Sequence, residues 1–154
     1  MRYIFSITKN NVIGVDNKLA FKIHHDLLYF KMNTYQSTIV MGRKTWDSLP
    51  FKPLRNRENY VLSRNKNIEK IHGVHHIDSM KKIPEKSWII GGNEIFQQMF
   101  KSGDILYITH INLIIEESCM LKMALPEKKF LWKSRLFLVP NKDIEYYFAC
   151  YKVL

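Results

Sequence analysis

Three kinds of feature in this 154-residue chain can do chemistry: an aspartate opening an apolar helix, a double glycine after one strand, and basic residues after two others. Asp26, in His25-Asp26-Leu27-Leu28-Tyr29-Phe30-Lys31, falls in the first turn of a predicted helix, close to the face of Leu27 and Phe30. A carboxylate there either favours the helix start, where negative charge is stabilising, or binds a cationic or amidine-like partner. The segment before it, Ile13-Gly14-Val15-Asp16-Asn17-Lys18-Leu19-Ala20-Phe21, reads as a long loop able to act as a mobile lid. Gly91-Gly92-Asn93-Glu94-Ile95-Phe96 follows the apolar run Ser87-Trp88-Ile89-Ile90. It is either a tight strand-to-helix turn or a place where unobstructed backbone and free helix N–H groups meet a pyrophosphate. In Thr38-Ile39-Val40-Met41-Gly42-Arg43-Lys44-Thr45-Trp46 a strand again ends in glycine, and Ser63-Arg64 ends a third strand. Guanidinium, ammonium and hydroxyl groups suit a dianionic ligand, although a lone Lys or Arg is more often a solubilising side chain.

The elements that must position these residues alternate in type. β-rich runs occur at Tyr3 to Thr8, Thr38 to Met41, Tyr60 to Ser63, Trp88 to Ile90, Ile105 to Ile111, Leu131 to Leu138 and Glu145 to Val153. Helical spacing lies between them: Leu27, Phe30, Lys31 and Thr34 share a face, and Ile95, Met99 and Phe100 mark another. This order predicts an α/β fold with a mainly parallel sheet. The two C-terminal runs, joined through Pro140-Asn141-Lys142-Asp143, predict an antiparallel edge. In such sheets ligands sit beyond the carboxyl ends of the strands, where the glycines and basic residues lie. Met32, Tyr35 and Trp132 read as core or rim packing.

Composition narrows the function classes. The length predicts one domain, residues 1–154, and 46% hydrophobic with 25% charged residues is the balance of an ordinary globular domain. No apolar run approaches the roughly 20 residues needed to cross a bilayer, and the N-terminus reads as a strand rather than a signal peptide. No membrane partner and a cytoplasmic address are therefore expected. Cys119 and Cys150 form no CxxC pair. The six histidines (His24, His25, His72, His75, His76, His110) show neither metal-ligand spacing nor a Ser/His/Asp arrangement, so no metal is expected. The net charge of +10 fits a nucleic-acid partner or polyanionic small molecules. The basic residues are scattered and match no nucleic-acid-binding motif, which disfavours nucleic acid.

Taken in order, these segments resemble dihydrofolate reductase over almost the whole chain. The resemblance rests on Ile13-Gly14, Asp26 with Phe30-Lys31 and Thr34, Met41-Gly42-Arg43-Lys44-Thr45-Trp46-Asp47-Ser48-Leu49-Pro50, Leu54 with Arg57, Leu62-Ser63-Arg64, Ile90-Gly91-Gly92 and Tyr107-Ile108-Thr109. It implies a three-layer α/β fold: a central, mostly parallel eight-stranded sheet with an antiparallel C-terminal edge and helices on both faces. It also implies NADPH-dependent reduction of 7,8-dihydrofolate by a monomer, supplying one-carbon metabolism. Asp26 becomes the catalytic carboxylate that holds the pterin, with water delivering the proton to N5 and Thr109 supporting both. Leu27, Phe30, Leu49 and Leu54 wall the ring and benzoyl group, Arg57 clamps the glutamate carboxylate, and backbone groups of Ile4 and Ile90 reach the pterin edge. Ser6, Lys31 and Ser48 complete the implied dihydrofolate site. For NADPH, Gly42, Arg43, Lys44, Thr45, Leu62, Ser63 and Arg64 surround the phosphates and adenine ribose. Gly91 and Gly92 pass beside the pyrophosphate and nicotinamide, followed by Asn93, Glu94, Ile95 and Phe96. Ser6, Ile13, Asn17, Leu19 and Ile90 border the nicotinamide pocket.

The chain departs from the family pattern in three places. Ala20-Phe21 replaces Pro-Trp, Phe96 replaces a common Tyr, and Ser118-Cys119-Met120-Leu121 replaces an Asp-Thr-x-Phe-Pro segment whose contacts therefore do not carry over. Alternatives are a related riboflavin-pathway reductase, which would lack the Asp26 and Arg57 pair, and a folate binder with weakened catalysis.

Overall fold

The computed structural model describes residues 1–68 and 70–154. The elements run β1 (Arg2–Thr8), β2 (Val12–Val15), β3 (Lys18–Leu19), α1 (His24–Thr34), β4 (Thr38–Gly42), α2 (Arg43–Ser48), β5 (Glu58–Leu62), β6 (Val74–Ile77), a 3-10 turn (Met80–Lys82), β7 (Trp88–Gly91), α3 (Asn93–Met99), β8 (Ile105–Ile111), β9 (Met120–Lys122), β10 (Lys128–Lys133), β11 (Phe137–Leu138) and β12 (Glu145–Val153). Among the described residues the central sheet has eight strands in the order β10-β12-β8-β1-β7-β4-β5-β6, with the short β11 added beside β12. β8, β1, β7, β4, β5 and β6 run parallel; at one edge β12 runs antiparallel to β8, and β10 antiparallel to β12.

Two apolar clusters sandwich this sheet because consecutive strand side chains point to opposite faces. Tyr3 and Ile7 of β1, Leu106 and Ile108 of β8 and Ile89 of β7 meet Ile95, Phe96 and Met99 of α3. On the other face Ile4, Ile39, Met41 and Trp88 meet Trp46 of α2 with Tyr29 and Phe30 of α1. The helices therefore lie on both faces, as the alternation of elements predicted. A third cluster, Ile23, Ile111, Val139, Tyr146 and Phe148, seats the start of α1 on β12, where Tyr29 stacks on Phe148 with ring centroids 4.0 Å apart. Asp104 ties the strand ends together: it accepts from the N-terminal ammonium at 2.9 Å, the Tyr3 hydroxyl at 3.0 Å and Lys101 N–H at 3.0 Å. Burial and the Asp104 charge push the Tyr3 phenol well above its ordinary range.

Several sequence expectations need correction. The segment from Ile13 to Phe21 is not a structureless loop: β2 and β3 form a hairpin through Asp16 and Asn17, both at positive φ, and β2 also pairs with β9. The run Leu131 to Leu138 is two strands: Ser134 N–H still donates to Phe148 O at 2.8 Å, but Phe148 N–H turns to the Ser134 Oγ at 2.9 Å instead of a backbone carbonyl, and the ladder breaks until Phe137. β6, β2 and β9 were not anticipated; they are short, and only β6 belongs to the central sheet. Of the two places expected for Met32, Tyr35 and Trp132, core or rim, the structure puts them outside the core, at 79%, 47% and 42% exposed. No helix of the described residues is long and apolar enough to cross a membrane.

Leu106 is fully buried at the centre of the first cluster. Leu106→Ala should cost about 2–5 kcal/mol, through lost transfer energy and the cavity left behind. Urea unfolding monitored by tryptophan fluorescence checks this, and a loss under about 1 kcal/mol would contradict the packing described.

Candidate active site

Asp26 is the third residue of α1, and the sheet sets its partner. The Thr109 hydroxyl on β8 donates to Asp26 Oδ1 at 2.6 Å across 83 residues of chain. Oδ2 accepts no protein hydrogen bond among the described residues. Burial raises the Asp26 carboxyl above the ordinary carboxylate range, opposed by the Thr109 bond and by His25. Thr109 itself is buried, and its β1 neighbour in register is Ser6, also buried.

The apolar residues expected around a planar ligand converge. Ile4, Phe30, Leu49, Leu54 and Ile90 belong to one cluster around Trp46 and Trp88. Leu27 is half-buried on α1, while Lys31 is exposed. Arg57 lies at the far side of Phe30, its guanidinium carbon 5.9 Å from the ring centroid. Its Nη1 donates to Thr34 Oγ1 at 3.2 Å and its Nε to Arg55 O at 2.9 Å, and burial lowers its pKa. Thr34 is fixed in turn by its own bond to Phe30 O at 2.8 Å.

Asn59 organises this corner, and the sequence reading missed it. It is fully buried inside β5; its Oδ1 accepts from Leu54 N–H at 2.9 Å and its Nδ2 donates to Leu54 O and Arg57 O, both at 2.9 Å. One side chain thus shapes the loop that carries Leu54 and Arg57. The available signal was weak: Asn59 immediately precedes the strand-like run Tyr60 to Ser63, and only the structure draws this poor strand former into β5, where burial calls for a specific bonding role.

The second half of the site is a cradle of backbone at the ends of β4 and β7. Gly91 has φ +137°, and a Cβ there would lie 3.2 Å from Thr45 Oγ1. A Cβ on Gly42 would lie 3.3 Å from Ile95 Cδ1 and 3.8 Å from Gly92 N. Three glycines thus keep two strand ends bare where α2 and α3 begin. Among the described residues Asn93 Oδ1 is buried here without a protein partner. Ile13, Leu62, Ile95 and Phe96 join the cluster beneath. Phe96 is buried against Phe5, with ring centroids 4.9 Å apart, so a phenyl ring rather than a phenol fills that space.

Other expected residues are placed differently. Arg43 is engaged, its Nε donating to Asp47 Oδ1 at 3.0 Å and its Nη1 to Asn67 O at 3.3 Å. Ser48 Oγ turns back to Thr45 O at 2.7 Å, and Ser63 Oγ accepts from Asn65 N–H at 3.1 Å. Lys44, Arg64 and Glu94 are exposed, as are Asn17 and Leu19 on the β2–β3 hairpin.

The family model for dihydrofolate reductase matches residues 1–151. The chain belongs to the dihydrofolate reductase family. It is 39% identical over 118 residues to the dihydrofolate reductase of Buchnera aphidicola subsp. Baizongia pistaciae, covering 73% of this chain and 71% of that one. With the dihydrofolate reductase of Bacillus subtilis it shares 36% identity over 116 residues, covering 71% and 68%. Its fold matches a solved dihydrofolate reductase from Enterococcus faecalis, complexed with NADP(H) and RAB-propyl, at a TM-score of 0.78 and 25% identity over 98% of this chain and 94% of that one. Family membership extends across the positions where Ala20, Phe21 and Phe96 depart from the usual dihydrofolate reductase pattern.

Two measurements test this geometry. The raised folded-state pKa of Asp26 means that folding favours its protonated form, so its contribution to stability falls as pH rises from its unfolded value through the folded one. Asp26→Asn should therefore raise Tm relative to the parent at pH 7, with the difference shrinking as pH falls through the raised folded value toward about 4. A Tm difference independent of pH would contradict it. Asn59→Ala leaves buried backbone groups of Leu54 and Arg57 unpaired and should cost roughly 1–3 kcal/mol in urea unfolding. A change near zero would show that the 54–57 loop is held by other contacts.

Proposed function

We propose that this chain catalyses NADPH-dependent reduction of 7,8-dihydrofolate to 5,6,7,8-tetrahydrofolate, as one cytoplasmic domain over residues 1–154 that works as a monomer. The single observation that carries the reading is the Thr109–Asp26 pair, a desolvated carboxylate with one oxygen held by protein and the other free. A planar carboxylate so held can accept from the pterin N3–H and 2-amino groups together, which fixes the ring and favours a proton at N5.

The backbone cradle fits the cofactor of the reaction. Gly42 and Gly91 keep the strand ends free of side chains, since a Cβ there would lie 3.3 Å from Ile95 Cδ1 or 3.2 Å from Thr45 Oγ1, and among the described residues Asn93 Oδ1 lies buried with no protein partner. NADPH, when bound there, supplies the hydride. In this reading Thr45 and Gly42 hold its phosphates, with Lys44, Ser63 and Arg64 toward the adenine ribose and Leu62 beneath. The Asp47 contact keeps Arg43 at the opening turn of α2, near the same anion. Ser6, Ile13 and Ile90 border the reacting ring, with Asn17 and Leu19 on the hairpin that covers it and Glu94, Ile95 and Phe96 behind Asn93.

Asp26 orients dihydrofolate and keeps negative charge beside the ring that gains a proton. Ile4 and Ile90 contribute backbone groups at the pterin edge, and Leu27, Phe30, Leu49 and Leu54 exclude water from the benzoyl group. Arg57, placed beside Phe30 and bonded to Thr34, clamps the glutamate α-carboxylate, with Lys31 and Ser48 at the outer rim. The pairing of a pterin carboxylate with this guanidinium favours dihydrofolate over a riboflavin-pathway substrate.

NADPH oxidation with dihydrofolate, followed by absorbance, tests the assignment. Asp26→Asn should lower kcat by roughly 10²-fold or more. Arg57→Ala should raise KM for dihydrofolate about tenfold while leaving KM for dihydropteroate, which lacks the glutamate, almost unchanged. No oxidation despite measurable NADPH binding would point instead to a folate binder that has lost catalysis.

A further inference from the structure

The start of α1 lacks the usual fastening. Ile23 stands at the N-cap, and no side chain accepts from the opening N–H groups. Two consecutive side chains tie this turn to the sheet instead. Asp26 takes the Thr109 bond on β8, and His25 Nδ1 lies 2.8 Å from the Tyr146 hydroxyl on β12. Thr109 is opposite Phe148 and Ile111 opposite Tyr146, so the two anchors sit on neighbouring strands, on the same face and one pleat apart. The imidazole is confined by aromatic edges, 4.7 Å from the Phe137 centroid and 5.0 Å from that of Phe148, and Tyr146 is 3% exposed. The titratable and charged groups around it are Asp26 and His24 on its own helix, Tyr146 on β12, Lys22 across the same cleft and Arg135 over the Phe137 ring.

Consecutive helical side chains diverge by roughly 100°, so one anchor alone leaves the turn free to rotate about it. Two divergent anchors fix both rotation and depth. We propose that His25, through its bond to Tyr146, is a positioning residue that sets where the Asp26 carboxylate meets the pterin. The inference rests on the reading of Asp26 as the substrate carboxylate. Neither His25 nor Tyr146 touches substrate in it; both act through Asp26. A displacement of about 1 Å at such a carboxylate is enough to lower turnover by one to two orders of magnitude.

The test compares His25→Ala, Tyr146→Phe, the double variant, His25→Asn and Asp26→Asn in steady-state NADPH oxidation with dihydrofolate, alongside NADPH affinity by fluorescence. Asparagine places an amide near the position of Nδ1 and retains the bond to Tyr146; Tyr146→Phe removes the bond but keeps the ring packed. The two single changes should each lower kcat/KM for dihydrofolate about tenfold, with NADPH Kd unchanged within about twofold. The double variant should be no worse than either single one, and His25→Asn should recover activity to within about threefold of the parent. If His25→Ala does not fold, Tyr146→Phe and His25→Asn carry the comparison. Parent-like activity in Tyr146→Phe, additive losses in the double variant, no recovery with asparagine, or a parallel loss of NADPH affinity would each overturn the proposal. Full turnover in Asp26→Asn would overturn the Asp26 reading and this inference with it. An inactive Asp26→Asn beside a parent-like Tyr146→Phe would overturn the inference alone.

Discussion

The register of β1 against β8 is the constraint on which the rest depends. Ser6 is opposite Thr109 and Ile4 opposite Tyr107, while Tyr3 and Leu106 face the other way into the α3 layer. Side chains alternate along a strand, so a slip of one residue would turn Thr109 into the α3 layer and offer the apolar Ile108 or His110 to Asp26. Burial on both faces makes such a slip costly, and the Thr109–Asp26 hydrogen bond inherits its precision from the core.

The buried polar groups around Asp26 and Arg57 are held by one another or by backbone. Thr109 supports Asp26, Thr34 supports Arg57, and Asn59 satisfies three backbone groups of the loop beside them. Each removes a desolvation penalty that would otherwise reorganise the corner. Asp26 is the exception by degree: its carboxyl remains raised despite Thr109, which suits a group whose remaining oxygen is satisfied by a ligand.

The departures from the family pattern are absorbed by packing. Phe96 joins Tyr3, Phe5 and Phe100 in an aromatic group that has no use for a hydroxyl. Phe21 packs with the cluster that seats α1 and lies under the Lys142 ammonium, 5.1 Å from its ring centroid. The unfamiliar Ser118 to Leu121 segment still delivers a strand, β9, to the β2–β3 hairpin, with Asp16 N–H donating to Cys119 O at 3.2 Å. Backbone pairing makes that contact, so it tolerates changes in side chain.

The sequence by itself determined the fold class, a mainly parallel sheet with an antiparallel C-terminal edge, and the glycines, acid and basic residues that stand at strand ends and the helix start, because alternation, helical spacing and glycine placement are local properties. The strands longest in apolar residues, β1, β8 and β12, were the most legible. β2, β6 and β9 were not: their few residues lack a distinct period and become strands only when a neighbour supplies hydrogen bonds. The contacts of Asn59, the engagement of Arg43 by Asp47, the exposure of Met32 and the clasp of His25 on Tyr146 were decided by tertiary structure alone. Each depends on which segments distant in sequence, or which helix face, are brought together, and that is set by the register of the sheet rather than by any residue's own preference.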